Sequence, residues 1–330
     1  YIATLMTRKA IEQNGPVTML PLDEVPDDAL VFACGNMGAP TVAIEKIMGA
    51  DQPPAAVLAL EAHLGRQADL LMAFEAGGSN SMMPIYNAAI LGKPIVDADG
   101  MGRAFPEFQM KTFFVHGVSY CPMAISDEKG NTVVIPNAIN AKWAERLARA
   151  ATIQMGCVAC YAIAPMSAEQ VKRTSVLHTL SLARNMGDAV KMARKNQQNP
   201  VEAILKVHHG RILFNGKVVD VERRTVGGFA RGSMAIDGMD AYRNHRMDIE
   251  FQNENLIARQ DGQPVCTVPD LICLVETERG EPITTELLRY GFRVTILGFP
   301  APSLWTCPEG LAVVGPRAFG YDLEYTPIEV

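Results

Sequence analysis

A chain of 330 residues, 48% of them hydrophobic and 20% charged, is long enough for two domains that each bury a core. It holds no uninterrupted apolar run of the roughly 20 residues that a membrane-spanning helix needs, which predicts a soluble globular protein and no membrane partner. A net charge of -6 offers no clustered Lys and Arg surface for phosphates, so nucleic acid is not an expected partner. Seven cysteines, an odd number without a signal peptide, fit reduced thiols in the cytoplasm better than a disulfide framework. The chain opens on Tyr1, not Met, and runs at once into a helical pattern, so a segment upstream of it is expected.

Ile2, Leu5, Met6 and Ile11 recur at a helical period that Gly15-Pro16 ends. Strands are predicted over 17–20 and 29–33. Cys34-Gly35-Asn36-Met37-Gly38-Ala39-Pro40 reads as a glycine-containing loop that leads into a helix over 41–48. Its glycine spacing matches neither the dinucleotide fingerprint nor the P-loop, so it is placed near a ligand without being assigned to phosphate. A helix over 53–65, a strand over 68–74, a helix over 82–91 capped by Gly92 and a strand at Ile95-Val96 continue the alternation. Strands over 110–118 and 132–136, an amphipathic helix over 141–156, and a helical block over 166–196 broken at Gly187 complete an N-terminal three-layer α/β/α domain. From Val207 short alternating runs separated by Gly predict a C-terminal β-rich, barrel-like domain. The expected boundary divides 1–195 from 196–330, with the last segment, interrupted by Pro300, Pro302 and Pro308, left open to pack on either domain.

The chemistry gathers in FEAGGSNSMMPIYNAAILGKPIVDADGMGRAFPEFQMKTF, residues 74–113. Glu75 ends an apolar run and precedes Gly77 and Gly78; the chain then returns into Asp97-Ala98-Asp99-Gly100. In a parallel sheet the carboxyl ends of the strands open on one edge, so Glu75, Asp97 and Asp99 are expected to converge on a ligand there. Asp97 and Asp99 share a face of an extended segment, where like charges raise one pKa or attract a cation. Asp99 before Gly100 is equally the chemistry of a tight turn. Arg103 either clamps a substrate carbonyl or neutralises the acidic pair, with Glu107 close behind it in the same loop. His116 reads as a base or ligand, or as a buried hydrogen-bonded histidine.

Three other features have ordinary explanations. Cys157 and Cys160 form a C-x-x-C inside an apolar segment with no second ligand pair, and read as small buried hydrophobes. His208 and His209 are adjacent and point apart. Gly227, Gly228, Arg231 and Gly232 fit a close backbone approach or exposed strand ends. Gln252-Asn253-Glu254-Asn255, a polar cluster in a strand pattern, is a second-tier site candidate.

The strings Glu75-Ala-Gly-Gly-Ser-Asn80, Val96-Asp-Ala-Asp-Gly-Met-Gly-Arg-Ala-Phe-Pro-Glu107, Gln252-Asn-Glu-Asn255, Val268-Pro-Asp-Leu-Ile272 and Val314-Gly-Pro-Arg-Ala-Phe-Gly-Tyr-Asp322 resemble the S-methyl thiohydantoin desulfurase-like family over nearly the whole chain. The resemblance implies the same two-domain architecture, a glycine-rich loop ahead of the first helix, and hydrolysis that removes an S-methyl group from a five-membered hydantoin-type ring. It also implies kinship with proteins associated with hydantoinases and oxoprolinases. On that footing the chain is expected to be a hydrolase of a small cyclic amide or thioimidate. Asp97, Asp99 or Glu75 would serve as base, and Arg103 or the amides near Gly77-Gly78 would stabilise negative charge, with His116 in the catalytic set. Gly77, Gly78, Asn80, Gly100, Met101, Glu107 and Asn255 form the expected substrate-binding set. A divalent metal on the carboxylates is an alternative that no histidine-rich ligand set raises above a metal-free mechanism. The competing reading is a non-catalytic, ligand-binding or accessory subunit of a hydantoinase-like enzyme. The expected macromolecular partner is a second copy of the chain or that enzyme.

Overall fold

The structure, a computed structural model, describes residues 2–38, 42, 45, 46, 48–226 and 229–330. Residues 41, 43, 44 and 47 of the helix predicted over 41–48, and the Gly227-Gly228 pair, lie outside the described residues. Two compact units divide between Leu180 and Ser181.

The first unit contains α1 (Ile2–Asn14), β1 (Met19–Leu20), β2 (Leu30–Gly38), α2 (Gln52–Leu64), β3 (Leu70–Ala73), α3 (Met83–Leu91), β4 (Ile95–Asp99) and α4 (Thr112–Val115). It continues with β5 (Met123–Ser126), β6 (Thr132–Ile135), α5 (Ala141–Gln154), β7 (Val158–Ser167), α6 (Ala168–Thr174) and β8 (Val176–Leu177). The strands form one mixed sheet in the order β1-β4-β3-β2-β7-β5-β6, with β8 paired to β4. β1, β4, β3 and β2 run parallel, while β7, β5, β6 and β8 pair antiparallel. Alternation along the strands sends side chains to two faces, and both are covered. Val31, Ala33, Met72, Ala98 and Ile163 pack against Ala144 and Ala148 of α5 and Val171 of α6. Phe32, Leu71, Ile95 and Ala162 pack against Val57 and Leu60 of α2 and Ala88 of α3. The result is the three-layer α/β/α arrangement.

Three local expectations are corrected. Residues 34–38, expected as a loop, continue β2. Their glycines serve close approach: a Cβ at Gly35 would lie 2.6 Å from the Tyr161 hydroxyl, and one at Gly38 would lie 2.3 Å from the Cys157 carbonyl oxygen. Residues 110–118, rich in aromatic and branched side chains, form no strand; Thr112–Val115 is a single helical turn whose Phe113 fills the core beside Gly100. The block over 166–196 is not one broken helix. β7 runs to Ser167, which caps α6 through a capping box with Gln170. After β8 the chain enters α7 (Thr179–Lys195), which passes through Gly187 without a break.

In the second unit α7 leads to α8 (Pro200–Val207), capped by Asn199, and then to β9 (Arg211–Val226), β10 (Phe229–Gly238), β11 (Arg246–Gln252), β12 (Glu254–Gln260), β13 (Gln263–Thr267), β14 (Leu271–Glu276) and β15 (Arg293–Phe299). These form one antiparallel sheet in the order β13-β12-β11-β10-β9-β15-β14. Asn255 on β12 donates to the Ile272 carbonyl on β14 at 2.9 Å, joining strands near opposite ends of that order, so the sheet curls into a half-barrel. Phe214, Ile236, Ile249 and Ile296 fill its concave core. Gly232 lies so close to β9 that a Cβ would sit 1.9 Å from the Glu222 carbonyl oxygen, which makes it a hairpin contact. The final segment packs into this unit: Ile328 joins its core, and the buried Asp270 accepts from the amides of Ala301 and Ile328 and the Tyr325 hydroxyl at 2.7, 2.8 and 2.8 Å. Among the described residues no helix is long and apolar enough to cross a membrane.

Candidate functional site

Within the first unit the parallel strands β2, β3 and β4 open their carboxyl ends on one edge, and Glu75 stands just past the end of β3. The Phe74 amide donates to the Cys34 carbonyl at 3.1 Å and the Gly100 amide to the Phe74 carbonyl at 3.2 Å, so this segment is laced to both neighbouring strands. Gly78, at φ 51°, starts a tight 3₁₀ turn over Gly78–Ser81 that brings Asn80 back onto Glu75. Asn80 Nδ2 donates to Glu75 Oε1 at 2.7 Å, and Asn80 Oδ1 accepts the Asn36 amide at 2.7 Å. Glu75 keeps some solvent contact, yet protein encloses its carboxyl group. Burial raises its pKa, while the nearby Lys111 charge and the Asn80 hydrogen bond oppose the rise.

Two residues that sequence reasoning passed over complete the surroundings of Glu75. Lys111 is 1% exposed. Its ammonium lies 3.6 Å from the centre of the Phe74 ring and 3.4 Å from the Met101 sulfur. The available signal was a single lysine inside the apolar string FQMKTFF, because a buried ammonium demands compensation by a nearby charge. Tyr161, on β7, meets the Phe74 ring edge-on with centroids 4.7 Å apart. Burial and the Glu75 charge both push its phenol well above the ordinary tyrosine range.

Asp99 ends β4, fully buried, and its Oδ1 accepts the amides of Met101 and Gly102 at 2.5 and 2.7 Å. The expected tight-turn chemistry is therefore present. Burial lifts its pKa to about 6 against the opposing pull of the Gly102, Thr179, Met101 and Ala76 donors. Thr179 and Ala76 lie near enough to favour the anion without closing a well-formed hydrogen bond to Oδ2. Met101 links the two acids: its amide holds Asp99 and its sulfur touches the lysine that faces Glu75. Asp97 is turned to another task. Its Oδ1 accepts the Leu180 amide and its carbonyl accepts the His178 amide, each at 2.8 Å, so it caps the start of α7, where negative charge suits the helix dipole.

The remaining predicted residues fall around this core. Arg103 is buried, its Nε donating to the Ala104 carbonyl at 3.1 Å and its guanidinium stacked 4.3 Å from the Phe105 ring centre. Glu107 accepts from the Gln109 side chain. Gly77 packs against Ala104, and Gly100 accepts from Thr112 at 2.7 Å through its carbonyl. His116, half-buried, closes the turn of α4. Asn255 belongs to the half-barrel of the second unit, where it joins two strands. Among the described residues no group of three His, Cys, Asp or Glu is placed to hold a metal ion. All seven cysteines are free; Cys160 donates its thiol to Asn36 Oδ1 at 3.1 Å, and burial pushes that thiol upward in pKa.

Known proteins agree with this architecture. The crystal structure of a protein from Chromobacterium violaceum superposes with a TM-score of 0.79 at 24% identity, over 98% of this chain and 93% of that one, a likeness of fold. No curated protein matches the chain. The family profile described as the S-Me-THD-like N-terminal domain matches residues 1–137, and that described as the S-Me-THD-like C-terminal domain matches residues 139–328. With both profiles spanning the chain from end to end, it belongs to the S-Me-THD-like family.

Proposed function

We propose that the chain is a hydrolase that releases methanethiol from a small S-methyl thiohydantoin or a closely related cyclic thioimidate. The observation that carries this reading is the enclosed Glu75, held by Asn80 beside the buried Lys111 at the ends of the parallel strands. A carboxylate whose pKa is raised above the ordinary glutamate value is a stronger base near neutrality than a solvated one. Glu75 takes a proton from water as the water oxygen bonds to the ring carbon that carries sulfur, and the carbon–nitrogen π pair moves onto the ring nitrogen. That nitrogen receives the proton from Glu75. The carbon–sulfur bond then breaks as the carbonyl forms; the remaining hydroxyl proton passes through Glu75 to the departing methanethiolate. One water is consumed, and hydantoin and methanethiol leave. Lys111 lowers the energy of the negative charge that builds up as the water adds.

The test is incubation of the purified chain with S-methyl thiohydantoin, with methanethiol followed by gas chromatography and hydantoin by mass spectrometry. Equimolar release that drops at least ~100-fold in Glu75→Gln is the expected outcome. Release that is absent in the wild type, or undiminished in the variant, overturns the assignment.

A further inference from the structure

Other tyrosines of this chain place their hydroxyls on acceptors: Tyr86 on the Ala50 carbonyl at 2.8 Å, Tyr325 on Asp270 at 2.8 Å and Tyr321 on Glu250 at 3.3 Å. Tyr161 does not. It is 2% exposed, and its hydroxyl finds no hydrogen-bond partner among the described residues. Core packing by itself would favour phenylalanine at this position, because an unmet buried hydroxyl costs stability that a plain ring avoids.

The path of the side chain explains the choice. Gly35 on β2 is the register partner of Tyr161 on β7. A Cβ at position 35 would stand 2.6 Å from the phenol oxygen and 2.9 Å from the ring carbon that bears it. The missing side chain therefore lets the phenol lie across β2 and reach the Phe74 ring at the end of β3. The next residue is Glu75, whose charge adds to burial in raising the pKa of the phenol. We infer that the Tyr161 hydroxyl is a substrate-contacting hydrogen-bond donor of the Glu75 site, carried there over β2 because Gly35 leaves room for the phenol.

A ligand that satisfies both groups carries an acceptor for the phenol next to an N–H for the carboxylate. The cis-amide or cyclic amidine edge of a five-membered ring has that pattern. The inference thus rests on the proposed hydrolase reading for its substrate class, and on the unmet hydroxyl for its residue.

Tyr161→Phe separates a ligand contact from a structural one. The thermal unfolding midpoint of the unliganded variant is expected to equal or exceed that of the wild type, while hydantoin binding by calorimetry weakens about tenfold and kcat/KM for S-methyl thiohydantoin falls by at least as much. A lower midpoint would show that the hydroxyl has a structural partner, and unchanged hydantoin affinity would show that it touches no ligand; either result overturns the inference. Wild type that binds hydantoin without releasing methanethiol sinks the hydrolase reading and leaves Tyr161 to be read from affinity alone. Wild type that neither binds hydantoin nor releases methanethiol overturns both.

Discussion

Asn80 Nδ2 stands 2.7 Å from the Glu75 carboxylate while Asn80 Oδ1 receives the Asn36 amide at 2.7 Å, so one side chain ties the end of β2 to the acid beyond β3. Its hydrogen bond favours the anion and holds the Glu75 pKa below the value that burial alone would set. In Asn80→Ala that pKa rises further. The acid limb of kcat/KM, which reports ionisation of the base, is expected to move to higher pH, and the unmet Asn36 amide costs about 1–2 kcal/mol in urea unfolding. An acid limb that stays in place would mean that Glu75 does not govern the rate.

Lys111 is the complementary case. Methionine has nearly the same length and no charge, so Lys111→Met keeps the packing on Phe74 while removing the cation that opposes Glu75 protonation. Removing one member of a buried charge pair leaves the other uncompensated, so folding of the variant favours a protonated Glu75 and loses stability where Glu75 must ionise. The expected result is an unfolding midpoint clearly below that of wild type at neutral pH, with hydrolysis there reduced at least ~100-fold and partly regained as pH is raised. A variant with the wild-type pH profile would remove Lys111 from the site.

The sequence made the strand ends legible because each is bounded locally: α2 and α3 end at Gly65 and Gly92, both at φ 65°, and the apolar runs before Glu75 and Asp97 are short and continuous. Features set by distant residues were not legible. Gly35 looks like loop punctuation until Tyr161, 126 positions away, comes to lie over it. Asp97 looks like half of a catalytic pair until the start of α7 is placed against its carboxylate. Lys111 has its ring and sulfur partners at positions 74 and 101, and nothing in its own spacing announces them. The 110–118 segment has strand composition, yet its aromatic residues serve the core from a single helical turn.

The Val268-Pro-Asp-Leu-Ile272 string has a structural reason of its own in the second unit. Asp270 gathers the Ala301 amide, the Tyr325 hydroxyl and the Ile328 amide, so it fastens the closing segment to the half-barrel. Asp270→Ala leaves those donors unmet and is expected to cost roughly 3 kcal/mol. Trp305, fully buried in the same unit, reports its urea transition, and trypsin cleavage after the exposed Arg317 should accelerate. Unaltered cleavage with an unaltered transition would show that the tail is held elsewhere.

Asp99 carries a pH dependence whose sign follows from burial. Its folded pKa is raised from 3.8 to about 6. Below pH 4 the group is protonated in both states and imposes no penalty. Between pH 4 and 6 the unfolded chain releases the proton while the folded one retains it, so stability falls with rising pH by about 1.4 kcal/mol per unit. Above pH 6 the loss levels off at about 3 kcal/mol. Asp99→Asn keeps an oxygen for the Met101 and Gly102 amides and does not titrate. Its stability relative to wild type is therefore expected to climb from pH 4 to pH 6 and then stay constant. Glu75, whose raised pKa acts in the same direction in both proteins, cancels from the difference. Urea unfolding of the first unit at pH 4, 5, 6 and 7 measures this directly, and a difference that is flat across the range would show that Asp99 is ionised in the folded chain as readily as in water.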